Sequence, residues 1–135
     1  MRNLMKVTAK LITLLLTATV FLATGCRTSV STDPVIGKQD TAVYQAGYFY
    51  AYLEADADTV FRTSIRALDK MGILRTGEVH REEFVNIFGR KIGDQKITVR
   101  IRQIAPAKSE VRVRVGFIGN LPESQMIYTK IRDEL

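Results

Sequence analysis

The sequence predicts an α+β fold, in which an antiparallel sheet of about five strands carries two helices on one face, in the order β-α-β-β-β-β-α. Two observations support this prediction. Apolar and polar residues alternate over residues 97–102 and 111–117, which is typical of half-buried antiparallel strands. Apolar residues recur at helical spacing over residues 56–71 and 122–135, which indicates two amphipathic helices.

The first strand is predicted over residues 47–54, which are rich in aromatic side chains. Alternate side chains of a strand point to opposite faces, and both faces of this one are apolar enough to be buried. One face consists of Phe49, Ala51 and Leu53, and the other of Tyr48, Tyr50 and Tyr52.

The first helix is expected to begin at Asp56 or Asp58, which are good N-caps, and to end before Gly72. Its predicted buried stripe is Phe61, Ile65, Leu68 and Met71.

Four further strands and a closing helix complete the domain. The strands are predicted over residues 73–79, 84–88, 97–102 and 111–117, the last two joined as a hairpin through residues 105–109. Phe117 is expected to continue the inward row of the last strand. The closing helix is expected to begin at Pro122 and to bury Ile127, Ile131 and Leu135.

The first 25 residues have the three parts of a secretory signal. Arg2, Lys6 and Lys10 supply a positive start, residues 11–22 are uncharged, and small residues precede Cys26. As a helix the uncharged stretch would reach only about 18 Å, short of the ~30 Å hydrocarbon core. We therefore interpret residues 1–25 as a cleavable lipoprotein signal peptide.

Cys26 is the single cysteine and follows Gly25, an arrangement that predicts lipidation of its thiol. Ala23 stands where Leu is usual, so an ordinary signal peptide with an incidental cysteine, or an uncleaved anchor, stays an alternative. Acyl chains on Cys26 would hold the protein on a membrane of the cell envelope, and the mature chain could form no disulfide. Arg27 stands where an Asp would often mark inner-membrane retention, which favours the outer membrane, facing the periplasm, in a cell with two membranes.

Residues 26–43 contain Ser, Thr, Asp, Pro and Gly without apolar periodicity, and are interpreted as the lipidated N-terminus and a flexible tether. Residues 44–135 then form a single α+β domain. Three of the 20 basic residues lie in the signal, so the mature chain has 17 basic and 14 acidic residues and a net charge of +3.

Several short sequence features resemble a family of small bacterial lipoproteins catalogued as domain of unknown function 3568. They are Gly25-Cys26, Tyr44-Gln45-Ala46-Gly47, the run Ala-Leu-Asp-Lys-Met-Gly at 67–72, Val113-Arg114-Val115-Gly116 with Gly119-Asn120, and Ser124, Ile127, Ile131 and Leu135. Asn120 replaces an expected Asp, and either residue can cap a helix. The resemblance implies a lipid-anchored protein with the α+β architecture described above. It implies no activity. The element order is also similar to the helix-grip domains of an outer-membrane-assembly lipoprotein, a likeness of fold that transfers no function.

No group of residues predicts catalysis, a cofactor or a metal site. His80 is the sole histidine and lies in a charged stretch, so a site built on several His or Cys ligands cannot form. A role for His80 as a general base is the weaker alternative. Glu82 and Glu83 are adjacent, and adjacent strand residues point to opposite faces. We therefore predict a protein that is not an enzyme.

Arginines and tyrosines form the remaining candidate site. If the valines and isoleucines of the hairpin face the helices, its arginines lie on the other face, and the tyrosines join them if Phe49 points inward. Arginine binds carboxylate or phosphate, and tyrosine stacks on sugars and guanidinium groups. The predicted ligand or partner face consists of Tyr48, Tyr50, Tyr52, Arg100, Arg102, Arg112 and Arg114.

Two functions are compatible with such a face. The favoured one is a tethered, non-enzymatic module that binds an envelope protein through the open face or an edge strand. The alternative is direct binding of an anionic envelope molecule, such as lipopolysaccharide or an acidic glycan. Nucleic acid is not expected as a partner of an exported protein. A third interpretation is a solvated scaffold, in which the arginines stack on the tyrosines and pair with Glu54 or Glu110.

Overall fold

The computed structural model describes Met1, residues 27–32 and residues 42–135. Residues 2–25 of the predicted signal peptide, Cys26 and residues 33–41 of the predicted tether lie outside the described residues. The described elements are β1 (Thr28–Val30), β2 (Ala42–Gln45), β3 (Tyr48–Leu53), α1 (Ala57–Lys70), β4 (Leu74–His80), β5 (Val85–Lys91), β6 (Gln95–Ala105), β7 (Lys108–Val115) and α2 (Leu121–Asp133).

The α+β class is confirmed, and the described strands form one sheet in the order β1-β2-β3-β7-β6-β5-β4 with every neighbouring pair antiparallel. The sheet has seven strands instead of the predicted five. The two additional strands, β1 and β2, come from residues assigned to the tether or to its border with the domain. They are three and four residues long. Main-chain pairing holds strands this short, so side-chain alternation gives little signal of them.

The core lies between the sheet and both helices. Phe49, Val113, Val99 and Ile87 form one inward row across four strands, and each is at most 1% exposed. Helix α2 covers β3 and β7, while α1 covers β6 and neighbouring strands. The ring of Tyr128 in α2 packs 5.3 Å from that of Phe49. Both helices therefore cover one face of the sheet, as predicted.

Helix α1 begins after Asp56, whose carboxylate accepts hydrogen bonds from the Thr59 backbone N–H at 2.9 Å and the Thr59 hydroxyl at 2.8 Å. These hydrogen bonds lower the pKa of Asp56. Because the charged carboxylate is the better acceptor, the cap stabilises the helix above the ordinary Asp pKa and loses its contribution as the pH falls through the lowered value.

The buried stripe of α1 differs from the prediction. It consists of Val60, Thr63, Ser64, Ala67 and Leu68, while Phe61, Ile65 and Met71 are only partly buried. Small residues at the centre of the stripe allow a close approach to the sheet, and the Ser64 hydroxyl donates to the Val60 carbonyl at 2.7 Å. Hydrophobicity alone therefore predicts a stripe whose centre lies about one residue, or 100° around the helix axis, from the centre of the observed stripe.

Two predicted core residues at the ends of elements are exposed. Strand β7 ends at Val115 because Gly116 adopts φ +76, and Phe117 is 91% exposed instead of buried. Helix α2 is capped by Asn120, which accepts from the Glu123 N–H at 3.2 Å, and it buries Ile127 and Ile131. It ends at Asp133, which leaves Leu135 48% exposed.

The turn between β2 and β3 packs directly on the chain between β7 and α2. Gly47 has φ +77 and Gly119 has φ +100, and a Cβ on Gly47 would overlap the main-chain carbonyl of Ile118. A Cβ on Gly119 would in turn overlap the main chain of Gly47. Neither position can take a side chain without moving backbone, so this contact fixes where α2 begins relative to the sheet.

Replacing Gly47 by Ala should therefore destabilise the protein much more than replacing Gly72 by Ala. Gly72 has a similar φ of +69 but open space around its Cβ position. Its replacement therefore measures the free-energy cost of the positive φ alone. We expect Gly72→Ala to lower the free energy of unfolding by about 1–2 kcal/mol. Gly47→Ala should cost roughly 1–3 kcal/mol more because of the overlap. Denaturant unfolding measures both, and equal losses would contradict the close approach.

Candidate functional site

The outer face of the sheet, opposite the helices, contains all seven residues of the predicted site. Phe49, Ala51 and Leu53 of β3 point into the core, so Tyr48, Tyr50 and Tyr52 point outward. The inward valines of β7 and β6 likewise direct the four arginines outward. No described helix or loop covers the centre of this face, which we call the Arg/Tyr face.

The strand register aligns these side chains in rows. Tyr50 lies opposite Arg112, and Arg112 lies opposite Arg100. In the next row, Tyr52 lies opposite Glu110, which lies opposite Arg102. Each row thus places an aromatic ring, a central charged residue and an arginine side by side.

The guanidinium groups stack on neighbouring rings. The Cζ atom of Arg112 lies 4.8 Å from the centre of the Tyr50 ring, and that of Arg114 lies 5.1 Å from the Tyr48 ring. Arg100 stacks on Phe84 at 4.3 Å. At these distances each cation is attracted to the ring face, which restricts both side chains.

Glu110 is the buried counter-charge of the face. Its side chain is 9% exposed and accepts a hydrogen bond from Nε of Arg112 at 2.5 Å and a longer one from Arg102 at 3.4 Å. Arg100 donates from Nε to Oδ1 of Asn86 at 2.9 Å. Three of the four arginines therefore already have a hydrogen-bond acceptor within the chain, which lowers their capacity to bind a free anion.

Arg114 is the exception. The buried Nε atoms of Arg102 and Arg114 both lack a hydrogen-bond partner among the described residues. Arg102 still donates to Glu110 through another nitrogen, whereas the described residues offer Arg114 no acceptor. Arg114 borders a cleft of about 440 Å³ at one end of the face, lined by Tyr48, Asp94, Lys96, Thr98, Arg114, Gly116 and Phe117. Asp94 forms an ion pair with Arg90, so two cations, Lys96 and Arg114, are left to define the charge of this cleft.

Beside the Arg/Tyr face, Lys108 forms a 2.8 Å ion pair with Glu54 and lies 5.8 Å from the Tyr52 ring. The hydrogen bond and the charge of Glu54 raise the pKa of Lys108. The side chain of Glu54 is 78% exposed and that of Lys108 is 41% exposed, so solvent screens this pair.

The candidate general base lies elsewhere. His80 is at the end of β4, with Nε2 3.1 Å from Oε1 of Glu78 and its ring 5.3 Å from that of Phe61. Glu82 and Glu83 are exposed between β4 and β5. No group of three His, Cys, Asp or Glu residues within the described part of the chain could hold a metal ion. Neither described helix is long and apolar enough to cross a bilayer.

Sequence reasoning missed three contributors to the face. Phe84 and Asn86 belong to the predicted strand 84–88, which has no alternating pattern to assign its faces, and Lys96 precedes the alternating segment of β6. In the structure Phe84 lies directly before β5. Glu110 was considered only as a partner in the scaffold interpretation. The pairing of β5 with β6 is the information that would have placed Asn86 beside Arg100.

The sequence model of the family described as protein of unknown function (DUF3568) matches residues 9–134. The chain belongs to this family. The match confirms the DUF3568 family that the sequence features resemble, and it covers the whole described domain except its last residue. No curated protein matches the chain. The DUF3568 description gives no activity, so function must be argued from the residues.

Replacing Glu110 by Gln should destabilise the DUF3568 domain by about 1–3 kcal/mol, because two arginines lose a buried charged acceptor. Glu54→Gln is the matched control, since it removes a carboxylate from an exposed pair, and it should leave the unfolding midpoint unchanged. Denaturant titration followed by circular dichroism measures both. Equal stability of the two variants would mean that Glu110 does not organise the face.

Proposed function

We propose that this protein is a lipid-anchored component of the cell envelope, without enzymatic activity, that binds a protein partner on its Arg/Tyr face. The observation that carries the proposal is the uncovered face itself. Both helices pack on one side of the sheet, and the other side presents stacked arginines and tyrosines to solvent.

The composition and rigidity of this face favour a protein partner. Tyrosine and arginine are enriched among the residues that dominate binding energy at protein interfaces. Here Arg112 is held by both Glu110 and Tyr50, so it would lose little side-chain freedom on binding. An open sheet face also suits another protein surface better than a small molecule, which is usually bound in a concave pocket.

The edge strand β4 offers a second means of docking. All seven of its residues are exposed, and within the described chain it pairs only with β5. Its other edge can accept a strand from a partner through main-chain hydrogen bonds.

The anchoring part of the proposal rests on the sequence. Residues 1–25 have the pattern of a lipoprotein signal, and Cys26 is the single thiol available for acylation. Arg27 favours the outer membrane, facing the periplasm, in a cell with two membranes.

Binding of an anionic envelope molecule, such as lipopolysaccharide or an acidic glycan, is the second candidate. The unpartnered Nε of Arg114 and the nearby Lys96 favour it. Because the other three arginines are already paired within the chain, such binding would be confined to the end of the Arg/Tyr face that holds Arg114.

Photo-crosslinking in intact cells tests the proposal. A photoreactive amino acid in place of Tyr50 or Arg112 should yield a discrete protein adduct. The same residue in place of Arg66, on the exposed side of α1, should not. Cys26→Ala should abolish the adduct because the unanchored chain leaves the membrane.

An adduct with lipid or glycan from the same photoreactive residue at Tyr48, which lines the cleft beside Arg114, without a protein adduct at Tyr50 or Arg112, would replace the favoured function by the second candidate. The absence of any adduct from Tyr50 and Arg112 would mean that the face is a solvated scaffold, and would overturn the proposal. Salt provides an independent check. Binding of a polyanion by arginine should weaken steeply between low and high ionic strength, whereas docking through apolar and edge contacts should not.

A further inference from the structure

Four exposed apolar side chains gather at one end of the sheet. This end, which we call the Gly116 end, is where β7 and β5 finish and where β6, β4 and β3 begin. The four side chains and their exposed fractions are Leu74 at 71%, Ile92 at 96%, Phe117 at 91% and Ile118 at 84%.

Each of the four is more exposed than any other large apolar residue in 27–32 and 42–135. The other exposed large apolar residues there have exposed fractions of 37% to 55%. Ile92 is in the turn between β5 and β6, and Phe117 and Ile118 are in the connection from β7 to α2. Backbone geometry holds the second pair outward, because Gly116 and Gly119 both have positive φ. A concentrated apolar surface of this kind marks an interaction site.

Basic residues surround the apolar side chains. Arg90, Lys91, Lys96 and Arg114 lie at this end of their strands, and Arg27 precedes β1 there. Two of them are paired, Arg90 with Asp94 and Lys91 with Glu123. Among the described residues none forms an ion pair with Arg27, Lys96 or Arg114, so the Gly116 end has a net positive charge.

The chain enters the sheet at the same end. Thr28 pairs with Tyr44, and the next residue of β2, Gln45, pairs with Tyr48 at the start of β3. Only Arg27 separates Cys26 from the first paired residue, and neighbouring Cα atoms are about 3.8 Å apart. A lipid on Cys26 would therefore join the protein beside the Gly116 end, with no long tether to lift the domain away.

We propose that the Gly116 end is the membrane-contacting surface of the protein. Ile92, Phe117 and Ile118 enter the interfacial region of the bilayer, and Lys96 and Arg114 contact the phosphates of anionic lipid headgroups at the cleft beside Phe117. Basic side chains around exposed Phe and Ile are the combination that binds anionic bilayer surfaces. This inference rests on the proposed lipidation of Cys26. It directs the strands away from the bilayer and leaves the Arg/Tyr face open to the side.

Depth-dependent fluorescence quenching tests the orientation. The processed full-length protein is reconstituted in vesicles of phosphatidylethanolamine and phosphatidylglycerol. Ile118→Cys supplies a single reactive thiol for an environment-sensitive dye, because a lipidated Cys26 is blocked. Ala105→Cys is the matched control, exposed at the opposite end of the sheet. Nitroxide-labelled lipid should quench the dye at 118 several-fold more than the dye at 105.

Equal or weaker quenching at 118 than at 105 would overturn the orientation while leaving the anchor intact. Mass spectrometry of the N-terminal peptide is measured first. A missing diacylglyceryl mass on Cys26 would overturn the anchor itself, so the two failures are distinguishable.

A charge variant tests the headgroup contact. In the Ile118→Cys background, Lys96→Glu with Arg114→Glu should reduce quenching at 118 in vesicles containing phosphatidylglycerol. Lys96 is exposed and Arg114 is half-buried, so an unchanged circular dichroism spectrum and unfolding midpoint are required to show that the variant folds. The role of anionic lipid would be refuted by two results together. Quenching at 118 would be the same with and without the two Glu substitutions, and the same in vesicles of phosphatidylcholine alone as in those containing phosphatidylglycerol.

Discussion

The pairing register of β3, β7 and β6 determines both the core and the candidate site. In this register Phe49, Val113 and Val99 form one inward row, while Tyr50, Arg112 and Arg100 form the neighbouring outward row. A slip of one residue in β7 or β6 would exchange its two faces and bury charged groups, and a slip in β3 would turn its tyrosines into the core. The free energy that holds the core together therefore also keeps the arginines beside the tyrosines.

Glu110 explains why this face is more than a row of positive charges. A buried carboxylate would be costly alone, and the arginines beside it would repel one another without it. Together they form a polar layer in which Arg102 and Arg112 share one acceptor. The face is consequently rigid and only moderately cationic, and its free positive charge is displaced toward Arg114 at one end.

The sequence predicted the parts of the structure that have regular periodicity. The alternation in β6 and β7 located the hairpin and the outward arginines, and Pro122 with Ile127 and Ile131 located α2.

Prediction failed where backbone conformation or residue size, which hydrophobic periodicity does not report, decided the outcome. Gly116 turned Phe117 out of the core, and small residues in α1 moved its buried stripe away from Phe61 and Ile65. Strands β1 and β2 carry little side-chain signal because they are short and held by main-chain pairing. The buried position of Glu110 depends on contacts between three strands that no local pattern encodes.

The position of β1 has a mechanical consequence. Thr28, its first residue, follows Cys26 by two positions in the sequence. With Cys26 held in a membrane, the chain would therefore enter the sheet through β1, and tension between the domain and the bilayer would run along the strand. The three residue pairs that join β1 to β2 would then be loaded in shear, and all would have to yield together. A pull perpendicular to the strand would instead open them one after another. In this orientation the short strand resists detachment from β2 as strongly as its length allows.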